Sequence, residues 1–274
     1  MSGAEGNKLS LGYSTGTLLE LIPDEPKNGF HIFERIKTLQ DASTPGSCIE
    51  INFASIDYLN LQLIEDLTRY WNDQQASRTF SYISIHVPGG IIYDDSPIAN
   101  EALNLINLLV RGIGASTVVF HPQQINLEKV DSVLNSLAGI ACVENMDSAK
   151  KIARGVDELK EYVDAGFGLV LDVNHSGHDD EGRKIATEII DAYSSSIHHI
   201  HASGGHLEDE SIGNSHTFYT APEDIRNLEP IRGLIPQVNR VNIIHEGIMS
   251  LTEGGETAVR LKNELLKVAG KILE

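Results

Sequence analysis

The sequence is short of cysteine, of positive charge and of long apolar runs, and each shortage excludes something. Cys48 and Cys142 are the only two cysteines in 274 residues. They stand far apart in apolar, strand-like runs, so they are expected to be reduced and buried, in a cytosolic protein. No apolar run reaches the roughly 18 residues that a membrane-crossing helix needs. The opening MSGAEGNKLS is polar and lacks the apolar stretch of a secretory signal, and residues 1–8 read as a loose lead-in. Lys and Arg total 21 against 39 Asp and Glu, a formal net charge of −18. Such a balance disfavours a non-specific nucleic-acid binder, which needs clustered cations to neutralise phosphates. There is no short repeat, low-complexity tract or linker, so residues 1–274 read as a single domain.

What is present is an alternation. Short runs rich in Val and Ile recur about every 23–45 residues, each followed by a segment of helical spacing. The strand-like runs are 9–13, 48–53, 81–86, 116–121, 140–144, 168–172, 197–201 and 240–246. Helical spacing covers 29–41, 60–72, 97–111, 126–138, 147–165, 181–195, 222–234 and 255–273. In the last of these, Val259, Leu261, Leu265, Leu266 and Val268 are expected to form the inward stripe. Strict alternation predicts an α/β fold, a (β/α)8 TIM barrel. The main rival is a doubly wound open sheet. Its dinucleotide-binding version is weakened because the first strand–helix turn, GYSTGTLLE, lacks the glycine pattern that cradles a pyrophosphate.

The polar residues sit in a pattern. At the C-terminal ends of the eight runs stand Tyr13, Glu50, His86, His121, Glu144, Asp172, His201 and Glu246. In a barrel those ends converge on one mouth, where active sites are built. His175 and His216 follow closely in the loops after the sixth and seventh runs. Histidine and carboxylate are the side chains that bind zinc, manganese and related ions. Any one of them could be an ordinary hydrogen-bonding residue. Gathered at one mouth, unpaired carboxylates would be costly to bury without a shared cation. Glu50 and Tyr13 have no clear assignment. His31, His178, His198, His199, His206 and His245 are expected at surface, strand-flank or supporting positions.

Seven pieces together carry a resemblance: ISIHVPG, VVFHP, CVENMD, LVLDVNH, HIHASGG, NSH and NIIHEG. From the third strand onward the chain resembles the xylose isomerase-like TIM-barrel superfamily. That superfamily includes the sugar isomerases and epimerases and the endonuclease IV group (AP endonuclease family 2). The resemblance implies that Glu144, Asp172, His201 and Glu246 hold one divalent metal. It further implies that His86, His121, His175 and His216 are the additional ligands of a multinuclear zinc cluster. The family's aspartate in the seventh loop is Asn214 here. The implied cofactor is therefore one or two ions of zinc or manganese, with a third put in question.

Two chemistries remain open. In a sugar isomerase or epimerase, Glu144 and Glu246 would be the acid/base pair and His175 would orient a substrate oxygen. In an endonuclease IV-like phosphodiester hydrolase, two or three zincs would act on a phosphate. Against DNA, Gly89 stands where the endonuclease group carries an aromatic residue, and the loops bear Asp94, Asp95, Asp179, Asp180, Glu181, Glu208, Asp209 and Glu210. A negative rim repels a phosphate backbone. The leading expectation is thus a cytoplasmic isomerase or epimerase acting on a small, sugar-like molecule. A non-catalytic, metal-binding barrel is the third reading. Barrels of this sort often form dimers or tetramers, but no stretch marks a homo-oligomer interface.

Overall fold

A computed structural model describes residues 9–21, 30–53, 55–73, 76–147, 150, 152–205, 216–219, 224–248 and 257–273. Eight parallel strands close into a barrel in sequence order, with the eighth pairing back onto the first. They are β1 Leu9–Ser14, β2 Ser47–Asn52, β3 Phe80–His86 and β4 Thr117–Phe120. The second half is β5 Ile140–Glu144, β6 Gly168–Asp172, β7 Ile197–Ala202 and β8 Val241–His245. Every strand expected from the pattern is present, and the open-sheet rival is excluded. The strands read as unbroken apolar runs because one face meets the barrel interior and the other meets helices.

Local chemistry sets the boundaries. The helix Pro97–Ile113 starts after Ser96, whose hydroxyl accepts the Ala99 N–H, and carries Pro97 where no N–H is needed. It ends at Gly114, which takes a left-handed φ of 72°. Its buried stripe includes Ala102, Leu103, Ile106 and Val110, and it packs beside the helix Leu61–Asp73. Gly12 has a different reason: a Cβ there would lie 1.7 Å from the Cys48 carbonyl oxygen. Strands β1 and β2 approach so closely at that register that a side chain has no room.

Three expected helices are shorter than the pattern suggested. Segment 126–138 is a 3-10 turn, Leu127–Lys129, followed by the helix Val130–Ser136. Among the described residues of segment 147–165, only Val156–Asp164 is helical. Before it, the Met146 N–H donates to the Ala153 carbonyl at 3.0 Å. Segment 222–234 contains a 3-10 stretch, Asp224–Leu228, and the single turn Ile231–Leu234. The last helix, Thr257–Leu273, buries Leu261, Leu265, Val268 and Ile272. Val259 and Leu266, expected inward, are instead 48% and 62% exposed. A 3.6-residue period places both off the stripe, and Glu264 takes an inward position beside Leu261. Both cysteines are free and buried, Cys48 against Tyr82 and Ile244, Cys142 against Val119 and Val170. Among the described residues no helix is long and apolar enough to cross a membrane.

Candidate metal centre

The parallel closure carries β3 through β8 to one end of the barrel, and the eight expected ligands meet there. Glu144, the last residue of β5, is the hub. Its Oε2 lies 3.4 Å from His86 Nε2 and 3.5 Å from His121 Nε2. Its Oε1 lies 3.2 Å from both His175 Nδ1 and His201 Nδ1. Glu246, just past β8, places Oε2 3.2 Å from the same His201 Nδ1 and 3.9 Å from His216 Nδ1. Asp172 closes β6 and caps the turn Val173–Ser176, its Oδ1 accepting the N–H groups of Asn174 and His175. That cap holds His175 Nδ1 3.3 Å from Asp172 Oδ2.

These side chains fall into three groups whose ligand atoms lie within 4.8 Å of one another: His86, His121 and Glu144; Glu144, Asp172, His201 and Glu246; Asp172, His175 and His216. The central group shares Glu144 with the first and Asp172 with the third. Oxygen and imidazole donors in this mixture suit zinc, manganese or magnesium. Asp172 Oδ2 is buried and accepts no hydrogen bond. A buried carboxylate oxygen left without a donor fits a cation. Asn214, the residue that bears on a third ion, lies outside the described residues, as does His206.

Charge in the cluster is balanced by protons. Burial pushes the Glu144 carboxyl up, but His201, His175 and His86 hold it well below the usual range. Burial raises Glu246 to about 8, with Glu50, Glu144 and Asp172 adding to the rise against His201. Burial likewise lifts Asp172 to about 6, with His175 opposing. Against the cost of burial, carboxylate neighbours raise His86 to about 9 and His175 to about 10, and hold His201 well above its ordinary value. Burial and neighbouring cations depress His121 to about 4 and His216 to about 3.

Two expected mouth residues are elsewhere. Tyr13 is buried against the last helix, its hydroxyl donating to the Leu261 carbonyl, and takes no part in the mouth. Glu50 lies below the rim, because β2 continues to Asn52 and Glu50 pairs in register with Ser84 rather than with His86. Its Oε2 accepts the Ser84 hydroxyl at 2.9 Å and faces His201 Nε2 at 3.1 Å and His199 Nε2 at 3.4 Å. These three residues, Glu50, His199 and His201, form a fourth group of metal-competent side chains in the barrel interior. His199 is therefore inside the barrel, not at a surface flank. His245 is buried too, its Nδ1 accepting the Gly247 N–H and its Nε2 3.6 Å from Glu264.

Two supporting residues were not anticipated. Asn145 clamps β6: its Nδ2 donates to the Asp172 carbonyl at 2.9 Å and its Oδ1 accepts the Asp172 N–H at 2.7 Å. The only sequence signal was its place directly after Glu144. Glu264 accepts the Tyr219 N–H at 2.6 Å and so pins the segment that carries His216. A carboxylate on the inner stripe of a helix is the signal that could have found it.

On the rim, two cations pair with acids. Lys129 Nζ lies 2.9 Å from Asp95 Oδ2, and Arg183 pairs with Asp180 and lies 3.6 Å from Glu229. Ser203, after β7, shares a hydrogen bond with His216 Nδ1 at 3.0 Å.

No family model and no curated protein sequence matches the chain. Solved structures do match. A xylose isomerase domain protein from Alicyclobacillus acidocaldarius superposes with a TM-score of 0.65 at 12% identity, over 96% of this chain and 99% of that one. A xylose isomerase-like TIM barrel protein from Mycobacterium smegmatis, in complex with magnesium, gives 0.59 at 13% identity over 100% of both chains. Endonuclease IV from Thermus thermophilus gives 0.58 at 14% identity, over 97% of this chain and 99% of that one. At these identities the fold is what is shared, and it is the fold of the xylose isomerase-like TIM barrels and of endonuclease IV.

Proposed function

We propose that this chain is a divalent-metal-dependent isomerase or epimerase of a small sugar-like hydroxy-carbonyl compound. The observation that carries this reading is the meeting of Glu144 and Glu246. They rise from β5 and β8, well separated around the barrel, and both reach His201 Nδ1 at 3.2 Å. Two carboxylates converging on one point from different walls can serve opposite faces of a substrate carbon held between them. Glu144, Asp172, His201 and Glu246 would hold a divalent ion, which would supply a Lewis acid for a substrate carbonyl. His175 is held by the Asn145 carbonyl at 2.9 Å and the cap of Asp172, so its ring is fixed for orienting a substrate oxygen. The acids of the loops after β3 and β6, Asp94, Asp95, Asp179 and Asp180, favour a neutral polyhydroxy molecule over a polyanion.

One observation favours a second reading, zinc-dependent phosphodiester hydrolysis of the endonuclease IV type. Glu144 offers its other oxygen to His86 and His121, so residues that would hold a second ion stand beside the central group, and two ions would supply charge for attack on a phosphate.

The test is metal content per chain, measured on protein purified without chelator, followed by assays on a panel of ketoses and on abasic DNA. One ion per chain with ketose turnover supports the isomerase. Two or three zincs with strand cleavage replaces it by the hydrolase. A protein that neither contains nor takes up metal overturns both and leaves a scaffold.

A further inference from the structure

Below the mouth, His201 turns its second ring nitrogen inward. Nδ1 faces Glu144 and Glu246, while Nε2 lies 3.1 Å from Glu50 Oε2 and 3.1 Å from His199 Nε2. Glu50, His199 and His201 are each buried. Glu50 Oε2 already accepts the Ser84 hydroxyl, and Glu50 Oε1 accepts nothing. On the far side of His199, Nδ1 lies 2.8 Å from the Tyr82 hydroxyl, which in turn lies 2.9 Å from Thr117 Oγ1.

The direction of the hydrogen bonds decides what this chain does. If the Tyr82 hydroxyl donates to His199 Nδ1, then His199 carries its proton on Nε2 and points it at Glu50. If Tyr82 instead donates to Thr117, His199 carries its proton on Nδ1 and its Nε2 becomes an acceptor. In both cases Glu50 Oε2 can only accept, so the 3.1 Å contact with His201 is a hydrogen bond only with a proton on His201 Nε2. A proton kept there makes Nδ1, which faces the mouth, the nitrogen that can give a lone pair to an ion.

We propose that Glu50 is a positioning residue that fixes His201 with its proton on Nε2, so that Nδ1 is presented to a metal at the mouth as the third member of a carboxylate–imidazole–metal line. This inference rests on the reading that the mouth binds a divalent ion. Ligating histidines usually donate their other N–H to a carboxylate or carbonyl, and removing that partner lowers metal affinity. Here the partner comes from a different strand, β2, which supplies no ligand to the mouth. Tyr82, Ser84 and Thr117 hold this interior layer in place. It explains why a carboxylate and a histidine are buried in a part of the barrel that substrate does not need to reach.

The test is zinc affinity of the full-length protein by competition with a chromophoric chelator, for wild type, Glu50→Gln and Glu50→Asp. Glu50→Gln should weaken the mouth site by roughly 10- to 100-fold, and Glu50→Asp should recover part of the loss. Wild-type affinity in Glu50→Gln overturns the proposal while leaving the metal reading intact. Loss of one whole equivalent from Glu50→Gln, with the remaining affinity unchanged, also overturns it and places an ion among Glu50, His199 and His201 instead. A wild-type protein that takes up no zinc defeats the metal reading and this inference together. Should the variants not fold, nitrogen-15 spectra of zinc-loaded wild type read the ring directly. His201 should show a protonated Nε2 and a metallated Nδ1, and the reverse pattern overturns the proposal.

Discussion

Metal binding at the mouth should expel protons, and the ligands set how many. Near neutral pH, His201 holds a proton on each nitrogen because its carboxylate neighbours keep it well above its ordinary value. Glu246, raised to about 8, is largely protonated as well. Glu144 is ionised, and Asp172, at about 6, mostly so. An ion in the central group must therefore displace one proton from His201 Nδ1 and most of one from Glu246, a release of about two protons. A group that binds its proton more tightly than the surroundings require competes with the ion below its own pKa. Affinity should thus rise with pH, about a hundredfold per unit while two protons are displaced. Above about 8, Glu246 has already ionised, so the dependence should fall to about tenfold per unit. A second ion on His86, His121 and Glu144 would release one more, from His86 at about 9, and none from His121 at about 4. Titration calorimetry in two buffers of different ionisation enthalpy counts these protons. An affinity that is flat or falling between about pH 6 and 8 would refute the reasoning.

Asn145→Leu takes the acceptor from the Asp172 N–H and leaves the Asp172 carbonyl only the Ser176 hydroxyl, and it should cost about 1–3 kcal/mol in urea denaturation. A wild-type midpoint would show that the clamp is dispensable. Gly12→Ala drives a methyl into the Cys48 carbonyl and should cost more than about 3 kcal/mol or abolish soluble protein, as expression and melting will show. Glu264→Ala removes the acceptor of the Tyr219 N–H, so it should lower affinity at the group containing His216 with little change at the central group. Spectroscopic titration with cobalt separates the two sites, and equal losses at both would refute the assignment.

The barrel was legible because its signal is repeated eight times. Each strand is a short apolar run that must be covered on both faces, so composition alone marks it. The mouth was legible because His86, His121, Glu144, Asp172 and His201 interrupt or end those runs, where an uncompensated polar group would be costly. His199 takes the supporting one of its expected places, inside the barrel, whereas Glu50 was counted among the strand ends although its run, 48–53, continues past it. β2 runs two residues past Glu50, and that extension lowers the carboxylate by one layer. The segments after β4 and β5 showed helical spacing that a 3-10 turn at Leu127 and a local bond from Met146 to Ala153 override. Tyr13 was ambiguous because a strand-end aromatic serves a mouth or a helix contact equally well, and only its hydroxyl's partner decides.

The two thiols turn the closed barrel into a clock for its own opening. Cys48 and Cys142 lie inside the strand cylinder with no exposed surface, and burial pushes the Cys48 thiol up to about 12. The nucleophile in alkylation and oxidation is the thiolate, so neither sulfur can react while the strands stay paired. Any modification of either cysteine therefore counts an excursion in which the barrel has parted. The rate of that labelling, slowed by any ligand that ties the strand ends together, reads occupancy of the mouth without a substrate being known.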